Sequence, residues 1–256
     1  MSILFKIKFC ILAFIRFIFS FLFGGEPCVC CGKISLLVPL CLRCIKTKLL
    51  VWIPNKKNDT PLRCVRCGIE LISENEICTV CRGEPVLHHT DLVFPVHSYR
   101  LWKKDLLSLW KTNSFRQLSP LFAKIIATCI LDTLQLTTKI PIVPVPPRPG
   151  KIKKYGWDQI EELCKLLSVV YGFSILRLLE RTSDTQQKKL DRSGRLFNLG
   201  KSYRLNQKIN KNISIPQEVI LVDDVITTGV TIENCSRCLK DFGIKKVYAV
   251  ALFSVT

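Results

Sequence analysis

The chain has 256 residues, which is enough for one medium-sized domain and a smaller second one. With 48% hydrophobic and 23% charged residues, the composition is that of a globular protein and excludes an intrinsically disordered chain. The net charge of +18 predicts an anionic partner, such as a nucleic acid, an anionic lipid or a polyphosphate.

The first predicted unit, residues 1–23, is strongly apolar and is interrupted by Lys6, Lys8 and Arg16. Its uncharged stretch after Arg16 is too short to span a bilayer, which takes about 20 residues. At helical spacing its polar residues fall on one side, which favours an interfacial helix that contacts the inner face of a membrane. Two alternatives stay open. One is a signal peptide, although no small-x-small cleavage site follows. The other is a helix that packs on its own protein.

The second unit, residues 24–91, is rich in cysteine and loops, and its core is too small to fold without metal. The chain has 14 cysteines, most of them in Cys-x-x-Cys pairs, which are typical of metal sites in the reducing cytoplasm. Four pairs at matched spacing predict two structural zinc ions, each held by four thiolates: Cys28, Cys31, Cys41, Cys44, Cys64, Cys67, Cys78 and Cys81. We prefer sequential pairing, although the spacing also permits a cross-braced arrangement.

Other candidate ligands nearby are given different roles. Cys30 adjoins Cys31 and is expected to be a bystander. The two histidines at 88–89 could replace a cysteine ligand, but a solvated loop is the preferred interpretation. Cys235 and Cys238 lie at i and i+3 on a predicted helix, in line with apolar residues, and we expect them to pack in the core.

The third unit, residues 92–256, alternates short apolar runs with helical periodicity. This pattern predicts an α/β fold with a parallel sheet covered on both faces. Strands are expected at 93–99, 140–145, 219–222 and 247–253, and helices at 101–110, 118–131, 157–170 and 231–242.

The strongest motif spans residues 219–231 and predicts a strand, a short loop and a helix. Four apolar residues precede Asp223 and Asp224, and a threonine-rich loop with one glycine follows. Backbone N–H groups at a helix N-terminus bind anions, and threonine hydroxyls add donors. Two carboxylates repel phosphate and therefore suit ribose hydroxyls, or a Mg²⁺ ion carried by a polyphosphate. The motif predicts a sugar-phosphate site at the carboxyl ends of the strands.

This segment resembles the phosphoribosyl diphosphate-binding motif of type I phosphoribosyltransferases. The order of motifs along the chain is similar to that of the ComF family: the cysteine pairs, Pro144-Val145-Pro146, Tyr155-Gly156-Trp157-Asp158-Gln159, Arg181-Thr182 with Gln187 and Leu190, Arg195 with Asn198, and the acid pair. The resemblance covers nearly everything from residue 28 to residue 256. It implies a type I phosphoribosyltransferase-like open parallel sheet flanked by helices, preceded by a zinc-ribbon or knuckle module.

The resemblance also implies roles for individual residues. In any turnover the catalytic residues would be Asp223 and Asp224. The expected ligand-binding residues are Asp223, Asp224, Val225, Thr227, Thr228, Gly229, Val230, Thr231, Pro147 and Arg148. A mobile flap and basic surface are expected from Lys151, Lys153, Lys154, Arg181, Gln187, Arg192 and Arg195.

The chain departs from the family pattern around the diphosphate side of the site. Where the family usually has Arg-Gly-Phe-Asn-Gln, residues 155–159 replace a positive charge with a phenol and an amide with a carboxylate. A common histidine is here Arg148, and the arginine that follows it is here Lys151. The diphosphate side of the site therefore keeps its positive charge, but different residues supply it. This difference puts transferase activity in question more than ligand binding.

Three functions are consistent with the sequence. Family members are associated with DNA uptake in natural transformation, and some bind single-stranded DNA. Residues 148–211 hold 15 Lys or Arg against 6 acids, interleaved with aromatic residues, as in single-strand-binding surfaces. The alternatives are a phosphoribosyltransferase of nucleotide salvage or biosynthesis, and a ligand-regulated binding module without turnover. Type I transferases are often dimers, so the resemblance also implies a homodimer.

Overall fold

The structure is a computed structural model. It describes residues 24–36, 38–49, 62–71, 75–83, 86–98, 102–111, 115–182, 202–207 and 214–255, together with residues 11, 14–15 and 18–22. Its strands are β1 Glu26–Pro27, β2 Ile34–Ser35, β3 Leu92–Ser98, β4 Ile142–Pro144, β5 Leu179–Arg181, β6 Tyr203–Leu205, β7 Glu218–Ile226 and β8 Lys246–Ser254. Its α-helices are α1 Leu42–Cys44, α2 Thr79–Arg82, α3 Trp102–Lys111, α4 Ser119–Thr128, α5 Lys151–Tyr155, α6 Gln159–Tyr171 and α7 Val230–Asp241.

The main sheet has four parallel strands in the order β3-β8-β7-β4, which confirms the predicted α/β class. Alternate residues of β7 enter two separate cores, because successive side chains of a strand point to opposite faces. Ile220 and Val222 join one core with α3, α4 and α6, whereas Val219 and Leu221 join the other with α7. The sheet is thus buried on both faces, as the continuous apolar runs predict.

Two boundaries differ from the prediction in ways that matter for the site. β7 does not stop at residue 222; it stays paired with β8 through Ile226, because β8 is long and the residues after the acid pair are β-branched. The acid pair therefore lies inside the strand rather than after it. The segment after Arg148 contains a short helix, α5, between Gly150 and Gly156, both of which have a left-handed backbone conformation.

The sequence prediction also omitted an antiparallel ribbon. It is formed by β5 and β6, whose three residue pairs join distant parts of the chain. Tyr203 of this ribbon is buried beside α7, and Arg181 lines a cavity of about 590 Å³ that the ribbon shares with α3 and α6. The segment from Arg181 to Arg195, which is expected to be a flap, begins on this ribbon, and its residues 183–195 lie outside the described residues.

The N-terminal segment is helical wherever the structure describes it. Its described apolar side chains are between 40% and 69% exposed: Ile11, Phe14, Ile15, Ile18, Phe19, Phe21 and Leu22. Among the described residues, no helix is long and apolar enough to cross a membrane.

Candidate functional site

The predicted phosphate loop connects β7 to α7. Gly229 forms the turn with φ of +79°, which only glycine adopts at little cost, and its carbonyl accepts a hydrogen bond from the backbone N–H of Glu233. Thr227 is exposed and Thr231 lies in the first turn of α7. α7 has 12 residues, so its first-turn N–H groups and its dipole favour an anion at this end.

A cavity of about 590 Å³ opens beside this loop. It is lined by the acid pair and by residues of α3, α6, the loop after β4, and the β5–β6 ribbon. Of the predicted ligand and flap residues, those that line it are Pro147, Arg148, Lys151, Arg181, Asp223, Asp224, Val225, Thr227 and Thr231.

The remaining predicted residues lie elsewhere. Thr228, Gly229 and Val230 form the turn without lining the cavity wall. Lys153 lines a neighbouring cavity of about 360 Å³, and the Lys154 ammonium lies 5.0 Å from the centre of the Tyr155 ring. Gln187, Arg192 and Arg195 fall outside the described residues.

The two carboxylates of the acid pair have different surroundings. Asp224 is 6% exposed; Lys111 Nζ lies 2.8 Å from its Oδ1, and Gln159 Nε2 donates to its Oδ2 at 2.6 Å. Asp223 accepts a hydrogen bond from the backbone N–H of Asp224. Burial, and then the negative charge of Asp224, raise the pKa of Asp223 to about 7.

Two residues that differ from the family pattern, Lys151 and Asp158, form an ion pair with each other. Lys151, at the start of α5, lies 2.6 Å from an oxygen of Asp158, the residue that precedes α6. Lys151 also contacts the side-chain oxygen of Gln159. The other oxygen of Asp158 accepts the backbone N–H groups of Ile160 and Glu161 and so caps α6. A carboxylate in place of an amide is therefore matched by a lysine that pairs with it.

Sequence reasoning missed Lys111 and left Gln159 without a role. Lys111 is the last residue of α3, one position beyond the predicted helix end, and its partner is far away in the chain. A lysine at the end of an amphipathic helix is ordinarily solvated, so its residue type gave no signal. Gln159 belongs to a quoted family motif, which is the signal that could have included it.

The eight predicted cysteine ligands form two clusters in the sequential arrangement. The ligand sulfurs of each cluster lie within 4.8 Å of one another, and the Cys31–Cys41 and Cys67–Cys78 sulfur pairs are each 3.7 Å apart. A tetrahedron with Zn–S bonds of about 2.3 Å has edges of about 3.8 Å, so the donor sets fit zinc. The predicted metal-binding modules are therefore compatible with structural zinc.

One cysteine of each cluster has a lowered pKa, which favours its thiolate form. Burial opposes ionisation of Cys28, but hydrogen bonds from backbone N–H groups outweigh it and lower its pKa to about 6. The same balance lowers the pKa of Cys64 to about 6. Burial instead raises the pKa of Cys81 to about 11, so a cation is needed to hold all the thiolates together. Cys30 belongs to neither cluster and packs against the main core, and Cys235 is a fully buried residue of α7, at the core position that its spacing predicts.

The second cysteine cluster and the segment that follows it are attached to the sheet and to α7. Arg63 donates to the carbonyl oxygens of Gly68 and Pro95, the latter in β3, at 2.7 and 2.8 Å. Farther along, one oxygen of Glu233 in α7 accepts the backbone N–H groups of His88 and His89, and its other oxygen contacts the ring of His89. These histidines therefore connect the module to α7 and belong to neither cluster.

Comparison with known proteins gives two relatives. The chain is 27% identical to Competence protein ComFC of Streptococcus pneumoniae over 157 residues, which is 61% of this chain and 66% of that protein. It is also 27% identical to Competence protein F of Haemophilus influenzae over 190 residues, which is 72% of this chain and 81% of that protein. The chain thus spans just under two thirds of the length of the pneumococcal relative. No family model matches the chain.

Both relatives are named competence proteins, in agreement with the family that the order of motifs in the sequence resembles. The chain is therefore similar to two competence proteins, and this similarity supports its assignment to the ComF family.

Proposed function

We propose that this chain binds phosphoribosyl diphosphate in the cavity beside the β7–α7 loop, binds single-stranded DNA on its basic surface, and serves in DNA uptake. The proposal rests mainly on one observation: an acid pair, a threonine-rich loop and the start of α7 all lie at the same cavity. Both relatives are named competence proteins, which supports the cellular role.

In this proposal each part of the cavity meets one part of the ligand. The 5′-phosphate would accept hydrogen bonds from the loop and the hydroxyls of Thr227 and Thr231. The ribose hydroxyls would donate to Asp223, whose side chain lines the cavity. The diphosphate would lie toward Arg148 and Arg181, accompanied by Mg²⁺ in solution. Zinc would be structural and remain in the cysteine clusters.

The ligand part of the proposal is tested by calorimetry. We expect the double variant Asp223→Asn with Asp224→Asn to bind phosphoribosyl diphosphate at least about 100-fold more weakly, because Asp223 loses its charge as the acceptor of the ribose hydroxyls and Asp224 loses the charge that pairs with Lys111. The control is Asp105→Asn with Asp132→Asn, which changes two exposed carboxylates elsewhere and should bind as the wild type does. Equal affinity in the two double variants would remove the assignment of the site.

The DNA part depends on the exposed surface of α5. Lys153 and Lys154 are exposed there, Tyr155 is 60% exposed, and Arg148 lies just before the helix. Cations next to an exposed aromatic ring suit the phosphates and bases of a single strand. An exposed basic surface of this kind also binds duplex DNA, so the proposal requires a preference for the single strand.

Fluorescence anisotropy of a labelled oligonucleotide tests the DNA part. We expect wild-type binding to weaken steeply as salt increases, since each neutralised phosphate releases counterions. Lys153→Gln with Lys154→Gln should weaken binding and make the salt dependence shallower. Lys124→Gln with Lys165→Gln, which removes two exposed lysines from α4 and α6, should leave it unchanged. No binding at low salt, or equal affinity for duplex, would contradict this part.

An enzymatic function is a second candidate, and one observation favours it. The cavity of about 360 Å³ next to the main one shares Pro146, Pro147, Arg148 and Arg181 with it. An acceptor with a nucleophilic nitrogen could lie there and displace diphosphate from the ribose. Release of inorganic diphosphate from phosphoribosyl diphosphate, measured with a panel of nucleobases, tests it. Ligand binding without release would favour a regulatory module.

The N-terminal segment suggests a membrane-surface contact in addition. Its described apolar side chains are largely exposed, and residues 1–23 contain three cations and no carboxylate. Such a segment suits the headgroup region of an anionic bilayer at its cytoplasmic face. Co-sedimentation with vesicles that contain phosphatidylglycerol should exceed that with neutral vesicles and fall in Ile15→Ser with Phe19→Ser. Equal co-sedimentation of the variant would exclude this contact.

A further inference from the structure

Both oxygens of Asp224 are already occupied by donors of the protein itself. Lys111 contacts one oxygen at 2.8 Å and Gln159 donates to the other at 2.6 Å. The residue is almost fully buried, so water does not compete freely for these positions. With a donor on each oxygen and an ammonium beside it, the charge of this carboxylate is already compensated, which disfavours a second cation.

The ammonium of Lys111 is held in place by the fold. α3 buries Leu106, Leu107 and Trp110 on its inner side, which fixes the direction of its last residue. Trp110 donates to the hydroxyl of Ser119, and this hydroxyl donates to Glu162 of α6. The same two helices that bring Lys111 and Gln159 to Asp224 are therefore tied to each other.

This arrangement does not fit a magnesium ion bound to Asp224. Mg²⁺ requires oxygen ligands at about 2.0–2.1 Å in octahedral geometry. An ammonium at hydrogen-bonding distance from the carboxylate occupies the space for that ion and repels it. The charge that Mg²⁺ would supply is instead present as a permanent side-chain cation.

We infer that Lys111 is the resident counter-ion of the acid pair, so that the sugar-phosphate half of the ligand binds without a divalent cation at Asp224. The inference rests on the proposed function and refines it: Mg²⁺ accompanies the diphosphate and is not required by the ribose end. An ammonium has three N–H donors, and Lys111 lines the cavity. One donor serves Asp224, which leaves two to reach sugar oxygens of the ligand.

The proposal assigns different tasks to the two carboxylates. Asp224 holds Lys111 and Gln159 in position and keeps its own charge compensated. Asp223 receives the ribose hydroxyls, since its charge is not offset by a direct cation contact among the described residues. The other groups that face this pair are Asp158, Arg181, Tyr203 and Cys235.

Titration calorimetry with ribose 5-phosphate tests this inference, because that probe carries the sugar and the 5′-phosphate but no diphosphate. The buffer is freed of divalent cations with a resin before the protein is added, so that zinc in the cysteine clusters is not stripped. We expect the wild type to bind with the same Kd in the presence and absence of Mg²⁺. Lys111→Met should bind about 10- to 100-fold more weakly, the effect of losing one charge-assisted hydrogen bond.

Two further variants control this experiment. Lys104→Met removes an exposed lysine from the same helix and should bind as the wild type does. Lys111→Arg keeps a cation at the site and should retain Mg²⁺-independent binding within several-fold of the wild type. Because the Arg variant keeps the charge of the buried pair, it also serves as the folded comparison if the Met variant is unstable.

The outcomes separate the inference from the proposed function. Wild-type binding of ribose 5-phosphate that requires Mg²⁺ would overturn the role of Lys111, as would equal affinity in Lys111→Met. If the wild type binds neither ribose 5-phosphate nor phosphoribosyl diphosphate under any condition, the proposed function fails and this inference falls with it.

Discussion

Adjacent aspartates in this protein show how much the surroundings of a residue decide its chemistry. Asp224 is paired with Lys111, whereas Asp223 has no direct cation contact with any residue that the structure describes, and burial raises its pKa to about 7. In an unfolded chain both would titrate near 4. One acid pair thus supplies a carboxylate that is paired with a lysine and, beside it, a carboxyl group that changes its charge near neutral pH.

This difference predicts a pH dependence of stability. Because the folded state holds the proton of Asp223 more tightly, the free energy of unfolding falls as pH rises from about 4 to about 7. Asp223→Asn removes this loss, so its stability relative to the wild type should increase by roughly 1–3 kcal/mol between pH 4.5 and pH 8. Chemical denaturation across this range measures the difference.

The control for this prediction is Asp132→Asn, which changes an exposed carboxylate. Its stability relative to the wild type should not vary with pH. Curves for Asp223→Asn and wild type that stay parallel over the whole range would show that Asp223 is ionised normally.

At the residue scale, the sequence predicted groups that are close together in the chain. The acid pair, the threonine loop and the cysteine pairs are local patterns, and local patterns carry their own spacing. The contacts of Lys111 with Asp224 and of Glu233 with His89 join distant elements. Neither residue propensity nor sequence periodicity predicts a contact between distant elements, so these pairs could be identified only from the structure.

A glycine in each of the two cysteine clusters shows how contact with another element restricts the space at a residue. Gly32 and Gly68 occupy equivalent positions after a Cys-x-x-Cys pair and have nearly equal φ angles of +72° and +71°. A Cβ at Gly32 would have no atom within 4 Å, whereas one at Gly68 would lie 1.9 Å from the carbonyl oxygen of Val93. The second module is therefore pressed against β3 at this point.

We expect the two glycine-to-alanine variants to differ in stability. Gly32→Ala should cost about 1–2 kcal/mol, the cost of a side chain at positive φ. Gly68→Ala should cost more than about 3 kcal/mol, because the backbone must also move away from β3. Thermal unfolding and zinc content measure this. Equal melting temperatures for the two variants would mean that the second module is not fixed to the sheet.

At the element scale, the long apolar strands and α6 and α7 were predicted to within a few residues, because burial gives them a clear period. The β5–β6 ribbon and α5 were missed. Each ribbon strand has three residues, and α5 has five, so neither is long enough to show a period. α5 exists because glycines with positive φ bound it on both sides, which a sequence pattern does not distinguish from a loop.

At the scale of the whole molecule, the region of the second cysteine cluster contacts the elements that form the candidate ligand site. The second cysteine cluster contacts β3, and Leu87 lies 3.3 Å from where a Cβ of Gly229 would be. His89 and Glu233 add a polar contact between the same regions. Loss of metal from this cluster should therefore change the conformation of the β7–α7 loop. This effect would be structural, because four cysteines fill the coordination sphere of the metal.

We expect elemental analysis to give about two zinc ions per chain, one for each set of four thiolates. Strong chelation should lower the melting temperature by roughly 10 °C or more, because zinc supplies folding free energy to modules with small cores. It should also weaken binding of phosphoribosyl diphosphate. Protein that contains no zinc when purified without chelator, yet melts at the same temperature, would contradict the metal assignment.

The order of the sheet has a consequence for how the protein is made. β8 lies between β3 and β7, so the strand that completes the sheet is the last of the described strands to leave the ribosome. Both cysteine clusters are synthesised long before it. During translation the two cysteine clusters must therefore fold while β3 is still an unpaired strand. Metal supply during synthesis, rather than after release, would then decide how much of the protein reaches its native fold.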